Sequence, residues 1–177
     1  SSYNISKILE ANIFLSDVDP VTGQMTPDLV KECIKRNKIK KVKLLITMYL
    51  GGYPENVINF YKLKKRLSCY LMEDACHALG ASYKYKDKKI MIGSCKHADI
   101  SVFSLHPVKS ITSGEGGIVT TNSKLIYKKM KLLRSHGIER KNDYWNYDVS
   151  INGFNYRLSD INCSLGLSQL IKSKKFL

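Results

Sequence analysis

A near-continuous apolar run, residues 42–49, constrains the fold more than any other feature of the sequence. The run favours β-structure and is closed by Gly51 and Gly52, so it predicts a strand that is buried on both faces of a sheet. Such strands are typical of parallel sheets, whose connections are usually helices. The run is also far shorter than the roughly 18–20 residues that cross a bilayer, so we predict no membrane span.

Extended and helical patterns alternate along the chain. Strands are predicted at residues 13–15, 42–49, 69–72, 100–103 and 117–120. Helices are predicted from residue 27 to about residue 36, and at residues 56–67, 123–134 and 159–170. This rhythm predicts a three-layer αβα protein with a mainly parallel sheet.

The positive charge of the chain raises a second hypothesis, a nucleic-acid-binding protein. The chain has 177 residues, enough for one domain, and 29 basic against 15 acidic side chains give a net charge of +14. The lysines are scattered in short groups that are typical of solvated faces, and no stacking-aromatic or helix-turn-helix pattern accompanies them. The charge is therefore this hypothesis's only support, and we predict no nucleic-acid partner.

The five cysteines predict neither a disulfide framework nor a metal site. Their number is odd and no two stand in a C-x-x-C pair, and the Cys76-His77 and Cys95-Lys96-His97 spacings fit no structural zinc motif. The thiols are expected to be reduced and to serve packing. Because the chain starts without a Met or an apolar signal core, and stops without a helix terminator, we expect a piece of a cytoplasmic protein.

Chemically active side chains are concentrated between residues 73 and 117, just after predicted strands, where open α/β sheets build ligand sites. Asp74 follows an apolar strand, and its carboxylate suits either a cationic ligand group or the cap of a following helix. Lys109 stands outside the lysine-rich groups among small residues. A desolvated lysine there favours Schiff-base chemistry, and a surface loop lysine is the alternative. Ser104 has a hydroxyl that suits a phosphate.

Three ordered segments, residues 73–81, 104–117 and 153–160, together resemble the DegT/StrS-type sugar aminotransferases. The resemblance runs over essentially the whole chain, including residues 17–20 and 51–54. It implies a pyridoxal-phosphate (PLP) enzyme with the aspartate-aminotransferase fold (fold type I), of which residues 1–177 form part of the cofactor-binding large domain.

The resemblance also implies a role for each matching residue. Lys109 matches the lysine that holds the cofactor covalently and then carries a proton during transfer. Asp74 matches the acid that pairs with the pyridinium nitrogen, and Ser104 matches a phosphate ligand. His77 stands where many members have Gln beside the ring, and a His at this position resembles the branch that makes pseudaminic-acid precursors. Asn155 matches a residue that reaches the phosphate bound by a neighbouring subunit, which implies a homodimer.

The implied reaction is transfer of an amino group, usually from glutamate, to the keto carbon of a nucleotide-linked deoxysugar. Lys109 favours this reaction because relatives that dehydrate sugars have His at that position. A UDP-linked 4-keto-6-deoxy amino sugar is the preferred acceptor. Family members also have an N-terminal segment and a smaller C-terminal domain that this chain lacks, so a truncated, inactive remnant or binding module is the alternative function.

Overall fold

The computed structural model describes residues 2–140 and 145–177 as alternating helices and strands. The helices are α1 (Ser2–Ile8), α2 (Pro27–Arg36), α3 (Val57–Leu67), α4 (Lys124–Arg134) and α5 (Asp160–Lys172). The strands are β1 (Leu44–Met48), β2 (Tyr70–Asp74), β3 (Ser82–Tyr85), β4 (Lys88–Met91), β5 (Ile100–Ser104), β6 (Gly117–Thr120), β7 (Ile138–Arg140) and β8 (Tyr147–Val149). Within the described residues, no helix is long and apolar enough to cross a membrane.

The central sheet has four strands in the order β1-β2-β5-β6. β1 pairs with β2, and β2 with β5, in parallel, whereas β6 runs antiparallel to β5. The predicted α/β class with a mainly parallel sheet is confirmed. All three parallel strands end at the same edge of the sheet, which is where the candidate site lies.

Helices α2 and α3 cover one face of this sheet, and the sequence explains where they begin. The side chain of Thr26 caps α2 by accepting a hydrogen bond from the Leu29 amide, and Pro27 occupies the first helical turn. α3 buries residues at a spacing of three on one side. The main core cluster joins both helices to β1 and β2 and consists of Val30, Leu45, Phe60, Leu63, Cys69, Leu71 and Ala98.

Some sequence-based predictions were wrong. Residues 13–15 form no strand, because no described strand pairs with them, and Phe14 and Leu15 are exposed. β2 extends to Asp74, so this residue lies in the strand and not after it. The sequence analysis also missed α1 and two antiparallel pairs, β3-β4 and β7-β8.

A buried carboxyl group, that of Glu73, connects several strands of the sheet. Tyr49, directly after β1, donates its hydroxyl to Oε1 at 2.8 Å, and Ser101 of β5 donates its hydroxyl to Oε2. The Gly93 amide donates a further hydrogen bond. Burial raises the pKa of Glu73, and these hydrogen bonds oppose that rise. The network fixes the carboxyl ends of β1, β2 and β5 relative to one another.

We expect Glu73→Ala to lower the free energy of unfolding by at least about 2 kcal/mol, because it leaves buried hydroxyl and amide groups without an acceptor. Urea denaturation followed by circular dichroism measures this change. Asp87→Asn is the control, since Asp87 is exposed and makes only a surface ion pair with Lys84. Equal stability of the two variants would contradict a structural role for Glu73.

The raised pKa of Glu73 also predicts the pH dependence of stability. The folded state holds this proton more tightly than the unfolded chain, whose Glu has a pKa near 4.5. The free energy of unfolding therefore falls as the pH rises from about 4.5 through the folded-state pKa. Subtracting the pH profile of Glu73→Gln from that of the wild type isolates this contribution. A difference profile that rises with pH in this window would refute the assignment.

Candidate active site

The carboxyl edge of the parallel strands brings Asp74 and Ser104 to the same face of the sheet. Asp74 is in register with Val102 of β5, and Ser104 lies two residues further along that strand. Because side chains alternate between the faces of a strand, those of Asp74, Val102 and Ser104 share one face, opposite that of Glu73. Both Asp74 and Ser104 are half-buried, so they are open to a ligand.

Asp74 accepts hydrogen bonds from two different parts of the chain. The Cys76 amide donates to Oδ1 at 3.3 Å, and the Ser2 hydroxyl of α1 donates to Oδ2 at 3.3 Å. Residues 75–80 form turns and no helix, so Asp74 does not cap a helix. The carboxylate pairs with no described basic side chain, which leaves its charge available to a cationic ligand group. The sequence analysis gave no signal for the contribution of Ser2.

A glycine packs closely against the backbone of the turn after β2. Gly52 has φ +82°, and a Cβ at this position would overlap the backbone oxygen of His77. The Gly52 amide donates to the Tyr49 oxygen at 3.0 Å, which anchors the residues 50–52 to the end of β1. The Gly51-Gly52 pair therefore closes the predicted strand and also shapes the candidate site.

Lys109 lies in the loop that follows Ser104. The Ser104 hydroxyl accepts from the His106 amide at 3.3 Å, and the Lys109 amide donates to the His106 oxygen at 3.0 Å. The base of the loop is closed where the Leu105 amide donates to the Gly116 oxygen at 2.9 Å. Lys109 is half-buried, and no described carboxylate forms an ion pair with it.

The thiol of Cys76 lies at the same edge of the sheet. Burial raises the pKa of Cys76 to about 11, and the neighbouring Asp74 carboxylate acts in the same direction. The Lys109 ammonium and a hydrogen bond from the Ser104 backbone oppose this rise. The sulfur lies 3.9 Å from the Val102 oxygen of β5, so the turn that holds Cys76 packs against the strand that carries Ser104. The sequence analysis assigned Cys76 to packing, since spacing alone does not show which loops meet.

The other two predicted site residues are less closely tied to this cluster. His77 belongs to the same turn as Cys76, and its side chain is exposed. Asn155 is exposed, and its backbone forms an isolated antiparallel bridge with Ser135 near the end of α4. No contact of the described residues joins Asn155 to Asp74, Ser104 or Lys109, so its predicted role at a neighbouring subunit's phosphate stays a prediction.

The donor set suits a flat cofactor with one basic nitrogen, one carbonyl group and one phosphate. A carboxylate and a hydroxyl lie on one face at the carboxyl edge of the sheet, an amine lies in the loop after the hydroxyl, and both charged groups lack an ion-pair partner among the described residues. PLP has one group for each of them. Within the described chain, no group of three or more His, Cys, Asp or Glu side chains is arranged to hold a metal ion.

The fold and the site define the class: an α/β protein with a lysine, a carboxylate and a hydroxyl at the carboxyl edge of its sheet. The chain belongs to the DegT/DnrJ/EryC1/StrS aminotransferase family, whose family model matches residues 1–177. The family predicted from the sequence is thereby confirmed.

Individual relatives agree with this assignment. The chain is 48% identical over 122 residues to the Campylobacter jejuni "UDP-4-amino-4,6-dideoxy-N-acetyl-beta-L-altrosamine transaminase", covering 69% of this chain and 31% of the relative. It superimposes with a TM-score of 0.83 and 33% identity on Helicobacter pylori PseC, "aminotransferase involved in the biosynthesis of pseudoaminic acid", covering 97% of this chain and 43% of PseC.

A third match is the "Putative sugar aminotransferase Spr1654 from Streptococcus pneumoniae, PLP-form", with a TM-score of 0.82 and 27% identity. The alignment covers 98% of this chain and 46% of that protein. The chain thus spans less than half the length of each of these three relatives. The agreement of backbone over nearly the whole chain confirms the predicted aspartate-aminotransferase-type fold.

Two adjacent glycines allow a matched test of the close approach at the site. Gly51 and Gly52 both have positive φ, but only Gly52 lies against the backbone of the next turn. We expect Gly52→Ala to cost about 1–3 kcal/mol more than Gly51→Ala, because backbone atoms must move to admit the methyl group. Thermal and urea unfolding of both variants measure the difference. Equal losses would mean that positive φ alone requires glycine at position 52.

Proposed function

We propose that this chain carries the catalytic lysine region of a PLP-dependent sugar aminotransferase. The observation that supports this proposal best is that Asp74 and Ser104 share one face at the carboxyl edge of the sheet, with Lys109 in the loop that directly follows Ser104. Each of these residues has the chemistry that one group of PLP requires. Membership of the aminotransferase family supports the same function.

Each residue would hold a different group of the cofactor. The carboxylate of Asp74 would pair with the pyridinium nitrogen and keep it protonated. The hydroxyl of Ser104 would donate to the phosphate, since it accepts from the His106 amide and keeps its own proton for a ligand. The amine of Lys109 would bind the aldehyde carbon. Bound PLP supplies an electron sink that stabilises negative charge on the substrate carbon.

Lys109 would have a second role when its amine is free. A neutral lysine amine close to the reacting carbon is a competent general base, and as an ammonium it is the matching acid. The absence of a described ion-pair partner suits this role, because a paired ammonium would be held charged and in place. His77, on the turn after Asp74, would lie beside the cofactor ring.

For the substrate we propose a nucleotide-linked keto-deoxysugar, with glutamate as the amino donor. The Campylobacter jejuni relative is named for a UDP-linked 4-amino-4,6-dideoxy sugar, and an amino group at C4 derives from a keto group at C4 in transamination. A UDP-linked 4-keto-6-deoxy amino sugar is therefore the preferred acceptor. The product would serve cell-surface polysaccharide or glycan synthesis.

The same relationship supports proposals about assembly. We propose that residues 1–177 form part of a PLP-binding large domain in a cytoplasmic homodimer. Asn155 is exposed and bridges to Ser135, so its side chain is free to reach a second subunit. In this arrangement Asn155 would contact the phosphate bound next to Ser104 of the other copy.

The test is covalent capture of PLP by one lysine. The purified chain is mixed with PLP, its visible absorption is recorded, borohydride is added, and the modified peptides are mapped. We expect a visible absorption band and a reduced adduct at Lys109. Lys109→Ala should lose both, whereas Lys88→Ala should keep both, because Lys88 is an exposed residue of β4.

Two results would contradict the proposal. Labelling spread over surface lysines, and unchanged in Lys109→Ala, would show that no specific site forms. A specific adduct at Lys109 that glutamate cannot discharge, even with a UDP-linked keto sugar present, would support cofactor binding but not transamination. Amino transfer is measured as the loss of the absorption band on adding glutamate and its return on adding the keto sugar.

A further inference from the structure

The hydroxyl of Ser2 connects helix α1 to the candidate site. It donates to Asp74 Oδ2 at 3.3 Å, although the two residues are 72 positions apart in the chain. Both residues are half-buried, and no residue of α1 is buried in the core. Core packing of α1 therefore does not account for this contact. Its meaning for a ligand rests on the proposed function, in which the Asp74 carboxylate pairs with the ring nitrogen of PLP.

The two oxygens of the Asp74 carboxylate are held from opposite parts of the chain. The Cys76 amide donates to Oδ1, and the Ser2 hydroxyl donates to Oδ2. The backbone oxygen of Asp74 accepts from the Tyr49 amide at 3.2 Å. Each carboxylate oxygen can accept two hydrogen bonds, so both keep a place for a ligand. Of the two donors described, only Ser2 uses a side chain, so substitution can remove its hydrogen bond alone.

The direction of this hydrogen bond determines its chemical effect. A carboxylate paired with a ring nitrogen shares one proton with it, and the proton lies either on the nitrogen or on the carboxylate. A hydrogen bond donated to the charged form of a carboxylate stabilises that form. The Ser2 hydroxyl is the donor, so it favours a charged Asp74 and a proton on the ring nitrogen. PLP is the stronger electron sink in that form.

We propose that Ser2 is a positioning residue, whose hydroxyl orients the Asp74 carboxylate and holds the shared proton on the ring nitrogen of PLP. Ser2 acts through Asp74 and has no contact of its own with the cofactor in this role. Two properties of the bound cofactor therefore depend on the Ser2 hydroxyl: how tightly PLP binds, and whether its ring nitrogen carries a proton.

Helix α1 contains a matched control for the binding measurement. Ser6 lies one turn further along, and its hydroxyl donates to the Ser2 backbone oxygen at 2.8 Å and not to Asp74. PLP binding is measured by titration of the visible absorption. We expect Ser2→Ala to raise the Kd about tenfold, because a hydrogen bond to a charged group is lost. Ser6→Ala, and Ser2→Thr, which keeps the hydroxyl, should stay within about twofold of the wild type.

The ring nitrogen itself reports the second property. PLP labelled with ¹⁵N in the ring is bound at saturating concentration, and its ¹⁵N NMR signal is recorded, because protonation of a pyridine nitrogen moves this signal strongly. We expect the wild type, Ser6→Ala and Ser2→Thr to give the signal of the protonated ring. Ser2→Ala should move the signal towards that of the neutral ring. A change in the position of α1 alone would weaken binding and leave the signal of the bound cofactor in place.

A second pair of variants separates the hydroxyl from the shape of the side chain. Thr and Val have nearly the same shape and differ by the hydroxyl. We expect Ser2→Val to resemble Ser2→Ala and Ser2→Thr to resemble the wild type, in both the Kd and the ¹⁵N signal. This pair also carries the test if Ser2→Ala does not fold. Equal behaviour of the Thr and Val variants, or equal losses in Ser2→Ala and Ser6→Ala, would overturn the proposal.

Failure of the proposed function and failure of the role of Ser2 give different results. If PLP forms no specific adduct at Lys109 of the wild type, the proposed aminotransferase function fails, and the proposal for Ser2 fails with it. If the adduct forms and Ser2→Ala keeps both the Kd and the ¹⁵N signal of the wild type, only the proposal for Ser2 fails.

Discussion

One buried carboxyl group, that of Glu73, connects the parts of the chain on which the candidate site depends. Its two oxygens accept hydrogen bonds from Tyr49 and Ser101, which belong to the neighbouring strands or directly follow them. A carboxyl group in the core is costly unless its hydrogen bonds are satisfied, so this network defines one register for β1, β2 and β5. Asp74 is the next residue in the chain. Fixing Glu73 on one face therefore fixes Asp74 on the other.

The adjacent acidic residues Glu73 and Asp74 have different roles because their side chains lie on opposite faces of β2. Glu73 is buried with partners on both oxygens, and burial raises its pKa, which favours the neutral form. Asp74 is half-buried, accepts hydrogen bonds from the Ser2 hydroxyl and the Cys76 amide, and has no described basic partner. The first residue therefore stabilises the sheet, and the second offers a charge to a ligand. The pleat of β2 is sufficient to produce this difference.

The sequence predicted most helices and strands because their signals are local. The Thr26-Pro27 start of α2 and the spacing of buried residues in α3 can be read without knowing their neighbours. The strand predicted at residues 13–15 failed because a strand requires a partner. The β3-β4 hairpin was missed because Lys86 and Asp87 take positive φ at its turn, where Gly and Asn are the usual signals.

Site residues, like helices and strands, could be predicted from the sequence only where their signals are local. Asp74, Ser104 and Lys109 could be predicted because each follows or ends a strand and matches a family motif. Cys76 could not, because the surroundings of its thiol depend on the register between β2 and β5 and on the course of the loop after Ser104. No spacing between cysteines in the sequence contains that information.

The lysine-rich composition makes the surroundings of Lys109 more informative than its residue type. Lys64 is also half-buried, but its amine donates to both carboxylate oxygens of Asp99 at 2.6 Å. Such a bidentate pair holds an amine in one position. Lys109 is also half-buried, and no described carboxylate forms an ion pair with it. Of these two half-buried lysines, Lys109 is the one whose amine is available for covalent chemistry.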